Sequence, residues 1–447
     1  VVDCVSRRLV KISQDVPYIC LSYVWGSFQA EEPTSDGKLP LRIPKTIEDA
    51  LFVAICLEIP YLWVDCYCIN QNNIHEKHNT IRAMDKIYSG AELTIIAVVG
   101  IDPHHGLPGV RETPRRPQYK ITMVGETYVT AEDVRAEIAS SAWSSRGWTY
   151  QEMLLSRRRL VFTTSQMYYH CWESIHLESI SFNVTATYLE TLYRVFPQRG
   201  VVGDRLEDLQ RRLSEYYKRQ LSYHSDTVAA FQGIINAFHV SKSPSVFVTQ
   251  FYGILVLGEY NRDELDMART SFLAGLGWEV RPASFSSSDV FPSWTWASTT
   301  IGGSANSSRH LYPGTIVPRS AHRKYHDIEV TLTCRHESSQ VQSYSITKYP
   351  SYDGDYKDFW PWFDITTWTQ QCEVKMVSST TGTVDIYDAT MTIYDPLALQ
   401  LGQVHAVCTE TTGHIRFGNP MIQVEGLLVV EAVPGEYRRV GIFHSHV

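Results

Sequence analysis

A chain of 447 residues is too long for one ordinary hydrophobic core, and its 44% hydrophobic and 20% charged residues leave no large disordered share. A formal charge of −8 without a long run of Lys or Arg gives no footprint for nucleic acid or anionic lipid, so nucleic acid is excluded as a partner class. The longest apolar run, Leu93 to Ile101, is broken by Thr94 and Gly100 and falls far short of the roughly twenty residues that span a bilayer.

The nine cysteines are odd in number and scattered, which argues against a disulfide framework. Cys66-x-Cys68 has no second pair and no His cluster at zinc spacing, so no metal site is predicted. A reducing compartment follows. With no secretory leader visible, a cytoplasmic location is expected.

In chain order, Tyr18 to Val24 reads as a first strand. Pro44 and Thr46 open a helix whose Ile47, Ala50, Leu51, Ala54 and Ile55 share one face. Tyr61 to Asp65 is the second strand. Asn73 with Glu76 three residues on marks a helix start, and Ile81, Met84, Ile87 and Tyr88 give its buried stripe. Leu93 to Val99 is the third strand, and Asp102 to Gln118, rich in Pro, Gly, His and Arg, is a loop leaving the sheet. A helix over Arg146 to Leu155 precedes a strand at Leu160 to Thr163. Helices follow at Leu206 to Tyr217 and Asp226 to Phe238, then a Ser-rich stretch at Ser286 to Ser308. From Ile328 onward β-rich segments dominate, among them Glu329–Thr333, Thr383–Tyr387, Thr390–Tyr394 and Leu427–Glu431. This is an α/β pattern: a mainly parallel sheet with flanking helices over residues 1–178, a helical accessory region over 179–310 and a β-rich region over 311–447.

Four stretches carry a family resemblance: Leu21-Ser-Tyr-Val-Trp-Gly26, Pro44-Lys-Thr-Ile-Glu-Asp-Ala50, Tyr61-Leu-Trp-Val-Asp-Cys-Tyr-Cys-Ile-Asn-Gln71 and Arg146-Gly-Trp-Thr-Tyr-Gln-Glu152. Met84-Asp-Lys-Ile-Tyr88, Gly106-Leu-Pro-Gly109 and Leu155-Ser-Arg-Arg-Arg-Leu160 add to it. In this order and spacing they resemble the fungal heterokaryon-incompatibility (HET) domain. That resemblance implies a role in incompatibility and cell death. The HET domain is in turn distantly similar to the TIR domain, a flavodoxin-like module whose enzymatic members hydrolyse the nicotinamide–ribose bond of NAD. Here Ser22-Tyr23 resembles the Ser-aromatic ending of the first TIR strand, and Trp148-x-x-x-Glu152 resembles the spacing on the helix that holds the TIR catalytic glutamate. The stretch from Gly100 to Ser140 has no TIR counterpart.

In an open parallel sheet, ligands bind where strand carboxyl ends meet a reversal of strand order. Trp25, Gly26, Asp65 and Asn70 all follow strand ends, while Trp148 and Glu152 share a helix face, so all six are expected around one crevice. Nicotinamide leaves as a neutral group. Its release therefore needs a carboxylate to orient ribose hydroxyls and offset oxocarbenium charge more than it needs an acid. Glu152 is the catalytic candidate, with Trp25 or Trp148 stacking on the base and Asp65 or Asn70 holding hydroxyls. NAD would be a substrate; no resident cofactor is implied. Against these roles stand bland ones: ion pairing of Glu152 with Arg146 or Arg157, backbone bonding by Asp65, and core packing of Trp25, Trp63 and Trp148. His75 with His78 and the pair His104-His105 read as exposed, and Arg157 to Arg159 as a solvated cluster. The aromatics from Tyr349 to Trp368 read either as a lid or pocket wall or as a satellite core. No phosphate loop, dinucleotide fingerprint or nucleophile elbow is present in the sequence.

Three readings stay open: an effector that cleaves NAD or a related nucleotide, a small-molecule enzyme of secondary metabolism, and a non-catalytic cell-death module. A small-molecule or nucleotide ligand is the expected partner, and self-association into a homo-oligomer is admitted.

Overall fold

The computed structural model describes residues 1–179, apart from 118, 125, 130–132 and 172–173, then 195–196, 202–203, 205–238, 246–259, 265–281, 290–299 and 310–313. Beyond these it describes 323–324, 329–334, 342–351, 355–366, 369–371, 374–376, 381–384, 389–393, 404–416, 419–433 and 436–446. They gather into two compact units, residues 1–202 with 229–237, and residues 203–228 with 238–447.

The first unit is built on an eight-stranded sheet. Short strands β1 (Val2–Asp3) and β2 (Arg8–Leu9) precede β3 (Ile19–Ser22), which is buried at every position. Helix α1 (Lys45–Cys56) turns Ile47, Ala50, Leu51 and Ala54 inward, but Ile55 is exposed because it lies past the edge of that stripe. Strand β4 (Tyr61–Trp63) is shorter than the sequence suggests. Asp65 opens a one-turn helix, α2 (Asp65–Cys68), whose first free backbone N–H it accepts. Asn73 caps α3 (Ile74–Arg82) by accepting from the amides of His75 and Glu76. The expected single helix breaks at Ala83, and α4 (Met84–Gly90) follows, with Met84 and Tyr88 buried while Ile81 and Ile87 are half-buried. His75 and His78 are exposed.

Strand β5 (Leu93–Ala97) is again fully buried, the signature of a strand covered on both faces. The described residues of Asp102 to Gln118 hold no helix or strand, as expected of a loop, and the connection continues beyond them. It contains a hairpin, β6 (Lys120–Met123) with β7 (Glu126–Val129), and helix α5 (Val134–Ser140). Helix α6 (Gly147–Leu155) leads into β8 (Arg158–Phe162), β9 (Met167–Cys171) and β10 (Ile175–Leu177). The spatial order is β10-β9-β8-β5-β3-β4-β1-β2. The central β4-β3-β5-β8 are mutually parallel, with antiparallel strands added at both edges. In chain order the parallel strands run second, first, third, fourth, so the order reverses between β3 and β5, as in doubly wound sheets of flavodoxin type.

Two of the family motifs are explained here. Asp49 of α1 is buried and accepts from the Leu107 amide at 2.9 Å and the Thr113 hydroxyl at 2.5 Å, while Thr46 accepts from the Gly106 amide at 3.1 Å. The Pro44–Ala50 and Gly106–Gly109 stretches are thus one tether between α1 and the long connection. Arg159, expected in a solvated cluster, is fully buried. Strand alternation exposes Arg157 and sends Arg159 inward, where its guanidinium donates to the carbonyls of Met153 and Leu154 and lies over the Phe196 ring at 5.3 Å.

The second unit contains α7 (Leu206–Tyr217), while α8 (Ala229–Asn236) belongs to the first unit. It continues with a hairpin of β11 (Val246–Phe251) and β12 (Ile254–Glu259), helix α9 (Leu265–Gly275) and a β-rich remainder. That remainder ends in three long antiparallel strands, Val404–Arg416, Asn419–Val433 and Glu436–His446. The aromatic segment's Tyr349 and Phe359 lie in a core, while the side chains of Trp360 and Trp362 lie outside what is described. Tyr349 and Phe359 are buried edge-on against Phe251, which also meets Phe272 and stacks on Trp294 at 5.7 Å. Tyr352 and Trp368 lie outside the described residues, as does most of the Ser-rich stretch.

Among the described residues no helix is long and apolar enough to cross a membrane. Cys4, Cys20, Cys56, Cys66, Cys68 and Cys171 form no disulfide.

Candidate functional site

The carboxyl ends of β3 and β4 and the helix α6 converge on a buried polar network. Ser22, the last residue of β3, is fully buried and donates its hydroxyl to the Glu152 carboxylate at 2.5 Å. The Trp143 indole N–H donates to the same hydroxyl oxygen at 2.8 Å, so the serine links an indole to a carboxylate. The buried Tyr88 hydroxyl donates to the Leu21 carbonyl at 3.3 Å and lies beside Glu152. Just beyond β4, Asp65 accepts from the Trp25 indole at 2.8 Å and from the Cys66 amide at 2.8 Å. Tyr23, stacked on Trp25 with ring centres 6.4 Å apart, turns its buried hydroxyl toward Asp65 and helps to hold that carboxyl down.

Burial sets the electrostatics. Glu152 is 5% exposed, and desolvation, joined by the nearby negative charge of Asp65, pushes its carboxyl up to about 7. The Ser22 hydroxyl and the Arg146 guanidinium hold it from rising further. Desolvation raises Asp65 to about 6 against the opposing pull of the Trp25 indole, the Cys66 amide and Arg146. Two carboxyls poised near neutrality around one guanidinium form a coupled pair that changes protonation in the physiological range. The surrounding thiols are inert: burial pushes Cys4 up to about 12 and Cys20 well above the usual thiol range.

Helix α6 is buried on nearly every side, and only Trp148 is partly exposed. Its last turn is pinned. Ser156 donates to the Glu152 carbonyl at 2.6 Å and shares a 2.6 Å hydrogen bond with Thr94 of β5, while Arg159 grips the next two carbonyls. The helix carrying Glu152 is thereby fixed to the strands on which the network stands.

Of the residues expected in one crevice, the structure brings together Trp25, Asp65 and Glu152. Gly26 follows Trp25, is exposed, and takes φ +59° where a side chain would meet the Ile101 carbonyl at 2.8 Å. Trp148 sits one helical turn from Glu152 and is half-buried. Asn70 does not join: it is exposed and donates to Glu76 at 2.8 Å in the turn leading to α3. Ser22, Tyr23, Tyr88, Trp143 and Arg146 were absent from the sequence-based candidates. Four of them lie inside the motifs quoted above, where a hydroxyl or indole in an apolar stretch was the available signal. A separate open cleft of about 490 Å³ is lined by Ile43, Lys45, Glu48, Asp49, His104, Arg111 and Glu112.

A doubly wound α/β domain with the buried Glu152 and the half-buried Asp65 at the carboxyl ends of its central strands defines the class of this domain. Residues 18–152 match the family model for heterokaryon incompatibility protein (HET), so the chain carries a HET domain over that stretch. It is similar to heterokaryon incompatibility protein 6, OR allele, of Neurospora crassa, with 33% identity over 99 residues. That match covers 19% of this chain and 15% of the relative, so the chain spans about 15% of the length of the curated relative it matches. No solved structure matches the chain.

Proposed function

We propose that the HET domain hydrolyses the nicotinamide–ribose bond of NAD or a closely related nucleotide as an effector of incompatibility. The observation that carries this reading is Glu152: a buried carboxylate, raised to about 7, beside Asp65 at the carboxyl edge of a doubly wound sheet.

In this reading the glycosidic C–N bond breaks and its electron pair passes to the pyridinium nitrogen, releasing neutral nicotinamide. Water forms the new C–O bond at the ribose carbon. Its proton passes to the Glu152 carboxylate, which also faces the oxocarbenium charge. Asp65, oriented by the Trp25 indole, accepts from ribose hydroxyls, and Trp25 or Trp148 stacks on the base.

The competing reading is a non-catalytic signalling module. It draws on the low exposure of Glu152 and on its bond with Ser22, which give the carboxylate a structural role. Purified full chain incubated with NAD separates the two. Wild type should release nicotinamide and Glu152→Gln should not, both remaining folded. Equal behaviour of the two proteins favours the signalling module.

A further inference from the structure

We infer that α8, a segment lying beyond the matched HET region, is the positioning element for the helix that carries Glu152. As a statement about catalysis this rests on the function proposed above; as a statement about where Glu152 is held, it stands on geometry alone.

The HET match ends at Glu152, yet the compact unit containing it is completed by residues 229–237. Helix α8 buries Ala230, Phe231, Gly233, Ile234 and Ile235. It packs on α6 and α4, and the closest approach is at Gly233. A Cβ there would lie 2.7 Å from Gln151 Cδ and 2.8 Å from Asp85 Cβ, so only glycine lets the helices meet at this distance. The Gly233 amide donates to Gln151 Oε1 at 3.2 Å, and Asn236 donates to Asp85 at 3.4 Å.

Gln151 and Glu152 are consecutive on a helix, so their side chains leave it about 100° apart. One is held by α8 and the other by Ser22. Gln151 is 1% exposed, and without α8 its amide oxygen would lose the Gly233 N–H and its face of α6 would be bared. The residues flanking 229–237, Val228 and Phe238, belong to the second unit. The chain therefore leaves that unit to brace the Glu152 helix and then returns. An event that displaces α8 reaches Glu152 through one helix contact.

The test uses the full chain with Gly233→Ala, Gln151→Ala and the double variant. Hydrogen exchange of residues 147–155 is read beside that of 246–259, and nicotinamide release is read against pH. In Gly233→Ala, overpacking should speed exchange in 147–155 about tenfold while leaving 246–259 unchanged. The pH midpoint assigned to Glu152 should move with it. The double variant should recover part of both changes, since the Gln151 clash is gone while Asp85 remains. Unchanged exchange in 147–155, an increase of equal size in both segments, or no recovery in the double variant overturns the inference. A wild type that releases no nicotinamide overturns the proposed reaction alone, because the exchange arm still decides the role of α8.

Discussion

The carboxylate network of the first unit and the aromatic cluster around Phe251 in the second use similar residues to opposite ends. Both are dense in Trp and Tyr, but their polar atoms are spent differently. In the cluster, Tyr252 donates to the Phe359 carbonyl, Tyr349 to Gln250, Trp278 to Trp294 and Trp296 to Gly253, so these side-chain donors end on backbone carbonyls. In the network, the indoles of Trp25 and Trp143 end on Asp65 and Ser22, and Ser22 passes on to Glu152. The first arrangement adds aromatic burial with no carboxylate among these hydrogen bonds. The second keeps two ionisable groups in a site where burial penalises their charge, a cost that stability alone does not explain.

The largest effect that would break this contrast is in the aromatic cluster. Phe251→Ala removes a fully buried ring that meets Tyr252, Phe272, Trp294, Tyr349 and Phe359, and should cost about 3–5 kcal/mol of stability. Denaturant unfolding should show the same loss at pH 5 and pH 8. A loss that varies between these pH values would couple the cluster to a group that titrates between them.

Arg159→Met comes next. It leaves the Met153 and Leu154 carbonyls without their guanidinium donor and should cost about 2–3 kcal/mol, read by thermal unfolding. Hydrogen exchange should rise first in residues 147–155. An unchanged melting temperature would mean that the last turn of α6 is held by Ser156 and Thr94 alone.

Glu152→Gln is smaller and depends on pH. The folded Glu152 keeps its proton up to about 7, whereas the unfolded one loses it near 4.5, the ordinary value for a glutamate. The wild type is therefore most stabilised by this group below the unfolded value and loses that stability as pH rises toward 7. Glutamine has no such loss. Relative to wild type, Glu152→Gln should be nearly neutral at pH 4 and more stable by about 2 kcal/mol at pH 8. Destabilisation at pH 8 would mean that the carboxylate is held charged and that its burial is fully compensated.

Much of the sheet, and of the candidate site the placing of Trp25, Asp65 and Glu152, was legible in the sequence because those signals are local. Strand runs, the α1 stripe and the four-residue spacing of Trp148 and Glu152 follow from backbone periodicity. What escaped depends on the third dimension. Three consecutive arginines look solvated until strand alternation turns Arg159 inward, and Asp65 looks like a strand end until its carboxylate is seen to start a helical turn. The roles of Ser22 and Trp143 arise from a hydrogen bond spanning 121 residues of chain, and no window of sequence contains it. Likewise, α8 braces a helix that ends more than seventy residues earlier, so its role became visible only with the fold.

The most direct measurement is the pH profile of nicotinamide release from NAD by wild type and Asp65→Asn. The negative charge of Asp65 is one of the causes that raise Glu152. In wild type, release should grow as pH passes through about 7, as the Glu152 carboxylate forms. In Asp65→Asn, whatever the loss in amplitude, the rise should move to lower pH because the neighbouring charge is gone. A midpoint that does not move, or a wild type that releases no nicotinamide at any pH, would contradict this reading.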